Sequence, residues 1–365
     1  MNTIPQELDI CVSNQCNMRC RYCYSGGLDR SRAQRLDLRR MKLAVLQYLR
    51  AAGPRAEKIS ISGGEPLLDK KLLAALLPWL RRTAGPAMEI ECFSNGLLLD
   101  RPTAELFRRS GVHLKISLDG APASQDLNRV DAGGAPSSAR VARSLKALPP
   151  GLRRSLGLSA TVTRATAPRL AENIKFLASL GAGDLGLSFA VQERWTRADL
   201  AGLKRELLAA RAWLKGAGRG AFKDSPRFGY KLMRAGKPWL ESFCGQGEIS
   251  IGPDGHFYPC SMLSASSVAQ EPALRARYAA GDWRTGPDLA KVRASREKIF
   301  RAVMAGGRRE FLGCLLCIYY SSLLHGGDLK AMLKSSTDIV RLLRATGMGS
   351  GNPDVPRPRL AGAAR

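Results

Sequence analysis

The sequence lacks the long apolar runs and the leader segment that direct a protein into or across a membrane. No uninterrupted apolar stretch reaches the roughly 18–20 residues that a membrane span requires. The opening residues, MNTIPQELD, have neither a basic start nor an apolar core, so they predict no signal peptide. We therefore expect a cytoplasmic protein.

Disordered and fibrous chains are excluded by the composition. Of the 365 residues, 45% are hydrophobic and 24% are charged, which are ordinary globular values. This length allows one large domain or a domain with an appendage. Two features depart from the average: a formal net charge of +26, and 9 cysteines beside only 3 histidines.

The cysteines form two groups and do not suggest a disulfide framework. Their number is odd, and a chain of this length has no need of disulfide staples. In a reducing cytoplasm, clustered cysteines more often hold a metal than each other. The cysteines stand at Cys11, Cys16, Cys20, Cys23, Cys92, Cys244, Cys260, Cys314 and Cys317.

The first group contains C-x-x-x-C-x-x-C, formed by Cys16, Cys20 and Cys23. Three thiolates on one short loop are one ligand short of a closed zinc site, and no histidine lies nearby in sequence to complete it. An iron-sulfur cluster held by three cysteines leaves one iron open to a small-molecule ligand. This spacing favours an active-site cluster.

This motif resembles the signature of the radical S-adenosylmethionine (radical SAM) superfamily, with the aromatic Tyr22 before the third cysteine. Three further matches follow in the order typical of that superfamily. Each one ends a strand-like run: Gly63-Gly64-Glu65-Pro66, Ser94-Asn95-Gly96 and Ser117-Leu118-Asp119-Gly120. A glycine pair or an Asp-Gly pair alone is usually only a turn, so the combination carries the resemblance.

The resemblance implies the cofactors and their contacts. Cys16, Cys20 and Cys23 would ligate a 4Fe-4S cluster whose open iron binds S-adenosylmethionine, and reductive cleavage would give a 5'-deoxyadenosyl radical that abstracts hydrogen from a substrate. An electron donor such as flavodoxin or ferredoxin would supply the electron. The implied contacts to S-adenosylmethionine come from Tyr22, Gly63, Gly64, Glu65, Ser94, Asn95, Ser117 and Asp119, the last two at the ribose. Arg129 matches a common arginine, although Gln125 stands where the superfamily usually has histidine.

Strand-like runs alternate with amphipathic helical stretches over the first half of the chain. We place the strands near 7–13, 57–62, 88–94, 113–119, 155–163 and 185–191. Repeated βα units predict a parallel sheet, and six of them resemble the partial (β/α)6 barrel of the superfamily. Functional residues of such barrels gather at the carboxyl ends of the strands, where all four motifs fall.

Period-two alternation places Lys115 on the face of Ser117 and Asp119, and Cys92 on the face of Ser94. Lys115 is a weak catalytic candidate, as a proton donor or substrate anchor. An ion pair with Glu89 or Glu91 of the neighbouring strand explains Lys115 equally well. We expect Cys92 and Cys11 to be small buried core residues.

The second cysteine group starts with CGQGEISIGPDGHFYPC, in which two short β-rich segments flank Pro253-Asp254-Gly255. This hairpin resembles those of the SPASM and Twitch extensions of radical SAM enzymes. Cys244, Cys260, Cys314 and Cys317 would hold one auxiliary 4Fe-4S cluster, and a SPASM domain would need about three more cysteines. A structural zinc site would also suit four thiolates. We interpret His256 as a surface turn residue, and His113 and His325 as structural.

We divide the chain into a radical SAM barrel (1–195), bridging helices (196–242), a Twitch domain (243–325), a C-terminal helix (326–348) and a tail expected to be disordered (349–365). The aromatic and basic residues of 195–240 either cover a substrate or form linker helices. The resemblance favours modification of a peptide, by cross-linking, epimerisation or dehydrogenation, and leaves small-molecule oxidation as an alternative. The basic charge leaves RNA open as a partner, and a non-catalytic iron-sulfur or zinc protein is a remote alternative.

Overall fold

Six parallel strands from the first half of the chain form the centre of the sheet in the computed structural model, which describes residues 5–23, 25, 33–190, 192–222, 227–228, 248–304, 322 and 328–348. Each strand lies where the sequence pattern predicts it. They are β1 (Glu7–Cys11), β2 (Lys58–Ser62), β3 (Glu89–Ser94), β4 (His113–Ser117), β5 (Gly157–Val162) and β6 (Asp184–Phe189). Each pairs in parallel with the next, so the mixed α/β fold with a partial barrel is confirmed.

Helices connect these strands and cover one face of the sheet. Within the barrel they are α1 (Leu38–Ala52), α2 (Lys70–Ala84), α3 (Arg101–Arg109), α4 (Pro122–Asn128), α5 (Ser138–Lys146), α6 (Pro150–Arg153) and α7 (Leu170–Ser179). The start of α1 shows the local cause, because the side chain of Asp37 accepts a hydrogen bond from the amide of Arg40. Met41 and Val45 are fully buried on one side of α1, as expected for an amphipathic helix.

The predicted hairpin of the second cysteine group joins the barrel sheet. Its strands are β8 (Glu248–Ile251) and β9 (Phe257–Tyr258), which pair antiparallel around a turn in which Gly255 has φ 85°. β8 also pairs in parallel with β1, whereas β7 (Arg227–Phe228) pairs with β6 at the other side. The sheet of the described residues therefore runs β7-β6-β5-β4-β3-β2-β1-β8-β9.

The two faces of the sheet differ in polarity. Leu8, Ile10, Ile59 and Ile61 are fully buried on the helix-covered face. Polar side chains alternate with them along the strands and fill the inside of the barrel. The hydrophobic core therefore lies between sheet and helices, and the interior is left to polar groups.

Asp9 is the most buried carboxyl group on the inner face of β1. Its Oδ2 accepts hydrogen bonds from the hydroxyls of Ser62 and Ser250, both at 2.9 Å. Burial raises the pKa of Asp9 to about 6, although the two serine hydroxyls oppose that shift. One carboxyl group thus joins β1 to its two neighbours, β2 and β8.

The remaining described elements follow the barrel. They are α8 (Arg197–Lys215), α9 (Ser261–Ser264), α10 (Pro272–Tyr278), β10 (Gly281–Asp282), β11 (Gly286–Pro287), α11 (Leu289–Met304) and α12 (Leu329–Ala345). α8 lies in the predicted bridging segment and α12 in the predicted C-terminal helix, while the domain boundaries themselves stay predictions. The predicted tail, 349–365, lies outside the described residues. No helix among the described residues combines the length and apolarity needed to cross a membrane.

Candidate cofactor site at the cysteine loop

The segment 14–23, which we call the cysteine loop, follows β1 and pairs with the segment 128–132. The amide of Arg19 donates to the carbonyl of Val130 at 2.9 Å, and the amide of Arg21 donates to that of Asn128 at 2.8 Å. The amide of Ala132 returns a bond to the carbonyl of Asn17 at 2.9 Å. These bonds form a short antiparallel ladder, so the loop has a fixed backbone.

Two glycines after β2 allow the chain to approach the start of the cysteine loop. The amide of Gly64 donates to the carbonyl of Ser13 at 2.7 Å. A Cβ at Gly64 would lie 1.9 Å from the carbonyl oxygen of Gln15, and one at Gly63 would lie 2.5 Å from that of Ser13. Gly63 also has φ 136°, a conformation that other residues rarely adopt. The Gly-Gly pair is thus required by close backbone contact.

Glu65 is buried beneath the loop and binds the end of β3. Its Oε1 accepts from the hydroxyl of Ser94 and its Oε2 from the amide of Asn95, both at 2.7 Å. Oε1 also accepts from the amide of Leu67 at 2.9 Å. Burial raises the pKa of Glu65, and these hydrogen bonds oppose the shift. The carboxyl group therefore fixes the Ser94-Asn95 turn.

Asn95 connects this turn to the first cysteine. Its Nδ2 donates to Oδ1 of Asn17 at 2.7 Å and lies 3.9 Å from Sγ of Cys16. Three motifs that are far apart in sequence thus meet through direct contacts of Cys16, Glu65 and Asn95.

A second polar network holds the other end of the loop. Asp119 is 4% exposed, and its Oδ1 accepts from Nε of Arg129 at 3.0 Å and from the amide of Thr161 at 2.9 Å. The hydroxyl of Tyr22 donates to its Oδ2 at 2.5 Å. Nη1 of Arg129 lies 3.9 Å from Sγ of Cys20, and its guanidinium stacks 5.1 Å from the ring centroid of Tyr22.

Electrostatics supports this ion pair. Burial alone would lower the pKa of Arg129, but the carboxylate of Asp119 holds that pKa above its usual range. Burial also raises the pKa of Tyr22, so its hydroxyl keeps its proton and donates a hydrogen bond to Asp119. The guanidinium therefore stays charged between a carboxylate and a cysteine sulfur.

Gln125 takes a part in this network that the sequence does not reveal. Its Oε1 accepts from the amide of Asp119 at 2.8 Å, and its Nε2 donates to the hydroxyl of Ser137 at 3.0 Å. That hydroxyl donates to the carbonyl of Arg129 at 2.6 Å. The fully buried amide of Gln125 thus fixes both partners of the ion pair. The sequence alone shows only a departure from the usual histidine.

The three thiols of the loop fit a metal cluster in donor type. The pKa of Cys16 is raised to about 11, mainly by burial and to a smaller extent by the negative charges of Glu65, Cys20 and Cys23. Burial also raises the pKa of Cys20, against the influence of Arg129. A bound metal would relieve this repulsion and stabilise the thiolates. Within the described ranges, however, no three His, Cys, Asp or Glu side chains already form a metal-binding group.

Lys115 and Ser117 lie on the inward face of β4. Nζ of Lys115 lies 2.8 Å from Oε2 of Glu91, which also pairs with Lys58, so the ion pair expected as an alternative for Lys115 is formed. Burial opposes the effect, but the two lysines hold the pKa of Glu91 below its usual range. Ser117 lies nearer the mouth and is half-buried.

The cysteines outside the loop divide between the core and the hairpin. Cys11 and Cys92 are fully buried, as expected, and burial raises the pKa of both thiols. Cys92 is paired with Leu114 on the helix-covered face, opposite to Lys115. Cys260 is fully buried directly after β9. The other three predicted auxiliary ligands, Cys244, Cys314 and Cys317, lie outside the described residues, as does His325.

The other two histidines each contact a carboxylate. Nε2 of His113 lies 2.8 Å from Oδ2 of Asp184. Nδ1 of His256 lies 3.1 Å from Oδ2 of Asp254 inside the hairpin turn, and this hydrogen bond raises the pKa of His256. The contact of His113 is consistent with the structural role expected for it, and His256 lies in the hairpin turn as expected, with its side chain 36% exposed.

Comparison with known proteins relates the part of the chain that carries this site to a known superfamily. Residues 10–150 match the sequence profile of the Radical SAM superfamily. A serine-type anaerobic sulfatase-maturating enzyme of Klebsiella aerogenes is 32% identical over 130 residues, which cover 34% of this chain and 31% of that enzyme. The alignment thus spans about a third of the relative.

Solved structures extend the likeness of fold over nearly the whole chain. A tagged form of anSMEcpe with bound AdoMet has a TM-score of 0.63 at 16% identity, covering 94% of this chain and 99% of the other. Streptococcus suis SuiB bound to the precursor peptide SuiA has a TM-score of 0.56 at 16% identity, covering 80% of this chain and 67% of the other.

Proposed function

Because residues 10–150 match the Radical SAM superfamily, we propose that the chain is an enzyme that modifies a peptide after reductive cleavage of S-adenosylmethionine. The superfamily implies a 4Fe-4S cluster together with S-adenosylmethionine, and these cofactors supply the electron transfer and the radical chemistry. The chain's own residues bind and orient the cofactors and the substrate. One observation carries the proposal: the hydrogen-bond network of Glu65 and that of Asp119 both contact the same cysteine loop.

Cys16, Cys20 and Cys23 would hold the cluster, with Asn95 and Arg129 beside the first two sulfurs. Gly63, Gly64 and Glu65 would line the methionine part of S-adenosylmethionine, with Ser94 and Asn95 adjacent. Tyr22, Ser117 and Asp119 would lie toward the ribose. Asp119 already accepts three hydrogen bonds from the protein, so a ribose hydroxyl would share oxygens that are already partnered.

A peptide is the favoured substrate because two kinds of relative agree. The sequence relative from Klebsiella aerogenes is named for sulfatase maturation, and SuiB was solved with a precursor peptide. These relationships cover the fold and part of the sequence, so the reaction performed on the peptide is part of the proposal.

The test of this function is anaerobic turnover of the reconstituted protein. With S-adenosylmethionine and a strong reductant we expect 5'-deoxyadenosine and methionine, because a three-cysteine cluster leaves an iron for the cofactor. Cys16→Ala should lose both products, while Cys92→Ala, a core cysteine, should retain them. No 5'-deoxyadenosine from the wild-type protein loaded with iron would disprove the enzyme function proposed here.

An auxiliary 4Fe-4S cluster held by Cys244, Cys260, Cys314 and Cys317 is a further part of the proposal. It would conduct an electron to or from the substrate, since four thiolates leave no open site. Replacing all four by alanine should lower iron from roughly eight to roughly four per chain, on the basis of four irons per cluster. Cleavage of S-adenosylmethionine should persist. Unchanged iron would refute the auxiliary cluster, and loss of bound zinc instead of iron in this variant would identify a structural zinc site.

A further inference from the structure

The outer side of the cysteine loop is basic. Because the loop pairs with the segment 128–132 as a ladder, its side chains alternate. Met18 is 1% exposed and Cys20 is half-buried beside Arg129, whereas Arg19 and Arg21 are exposed. The two arginines therefore lie on the side of the loop opposite to the predicted cluster.

Within the described part of the chain, neither exposed guanidinium has an ion-pair partner. Asp131 is opposite Met18 in the ladder, so its carboxylate lies on the Met18 side, where Arg140 binds it at 2.9 Å. The acidic groups of the site, Glu65 and Asp119, are 2% and 4% exposed and lie on the inner side. The outer side thus presents an excess of positive charge.

We propose that Arg19 and Arg21, which we call the arginine face, dock an acidic one-electron carrier protein. The inference rests on the proposed function, since it requires a cluster that must be reduced. Cys20 stands between Arg19 and Arg21 in the chain, and consecutive Cα atoms are about 3.8 Å apart. A carrier that contacts both arginines would be separated from the cluster by little more than the loop backbone.

The size of the arginine face fits an electron carrier better than RNA. Weak redox encounters use small interfaces of less than about 1,200 Å² and gain association rate from complementary charge. Tight binding of nucleic acid usually neutralises about 6–10 phosphates. Two exposed arginines supply the first requirement and not the second. Docking here also leaves the barrel mouth free for the substrate.

The test uses reduced flavodoxin as the probe and the reconstituted full chain as the acceptor. Arg19→Glu/Arg21→Glu should lower the second-order rate of cluster reduction about tenfold or more at low ionic strength, because charge steering is reversed. The loss should shrink as salt is added. Arg19→Lys/Arg21→Lys should retain most of the rate, since it keeps the charge.

Lys204→Glu/Arg205→Glu is the matched control, because it reverses two adjacent exposed cations on α8. It should change the rate less than about twofold if steering is local. Iron content, and reduction by photoreduced 5-deazariboflavin, which is uncharged, should be the same in all variants. Reduction of the wild-type protein by neither reductant would refute the proposed function instead of the docking site.

Two outcomes would overturn the arginine face as a carrier site. One is equal loss of flavodoxin-dependent reduction in the two charge-reversed variants, because the effect would then belong to the net charge. The other is binding of bulk RNA by the wild-type protein that competes with flavodoxin and disappears in Arg19→Glu/Arg21→Glu, because the face would then be an RNA site.

Discussion

Arg129→Leu should destabilise the folded protein by about 3–5 kcal/mol, because it leaves the carboxylate of Asp119 buried without its cation. The side chain of Asp119 is 0% exposed, and its Oδ1 lies 3.0 Å from Nε of Arg129. The remaining bonds from Tyr22 and Thr161 donate to the carboxylate but carry no full positive charge. Urea unfolding of the metal-free protein measures this effect without any contribution from the cluster.

Arg140→Leu provides the control for the ion pair. Its partner Asp131 lies at a similar distance of 2.9 Å, but the arginine side chain is 52% exposed. Removing an exposed pair of this kind should cost far less stability, because solvent screens the two charges. Similar losses in Arg129→Leu and Arg140→Leu would contradict the account of a buried, charge-paired network. Arg129→Lys should fall between them, because lysine keeps the charge but not the planar fork.

Gly64→Ala should largely prevent the cysteine loop from assembling a cluster. The added Cβ would lie 1.9 Å from the carbonyl oxygen of Gln15, so the backbone that leads into Cys16 must shift. Overpacking of this kind usually costs about 1–3 kcal/mol in stability. We expect a still folded chain with a much lower content of iron after anaerobic reconstitution, measured per chain together with the urea midpoint.

Gly151→Ala is the matched control for that substitution. It introduces the same methyl group at an exposed position on α6, where a Cβ would meet nothing within 4 Å. Its iron content should equal that of the wild-type protein, and its unfolding midpoint should be equal or slightly higher, because alanine has less conformational freedom in the unfolded chain. Full iron loading in Gly64→Ala would show that the contact between Gly64 and Gln15 is not needed for the loop.

The local pattern of the sequence predicted the barrel well. Strands β1 to β6 are short alternating or apolar runs that end at Gly, Asn or Asp turns, and their signals are contained within a few residues. The four motifs follow four consecutive strands, and parallel strands bring their carboxyl ends to one edge. The meeting of Glu65, Asn95 and Cys16 could therefore be expected from order alone.

Contacts between distant segments could not be predicted in the same way. Nothing in the segment 128–132 indicates that its backbone pairs with the cysteine loop, because backbone hydrogen bonds do not depend on side-chain type. In the sequence, Gln125 looks like an ordinary polar residue of a helix. Only the structure shows that its side-chain amide binds Asp119 on one side and Ser137 on the other. The pairing of β8 with β1 could not be predicted either, because the local signal of the hairpin indicates only that β8 pairs with β9.

The position of β8 in the sheet has a consequence for synthesis. β1 carries the cysteine loop, yet Glu7 pairs with Glu248, and Ile10 with Ile251, from the last third of the chain. Ribosomes add about 5–20 residues per second, so one edge of β1 stays open for on the order of ten seconds or more after it emerges. An open strand edge favours unwanted pairing with other chains. During that interval the cysteine loop has already been synthesised, but the strand that covers the edge of β1 has not. The nascent chain therefore depends on protection of this edge from outside the chain.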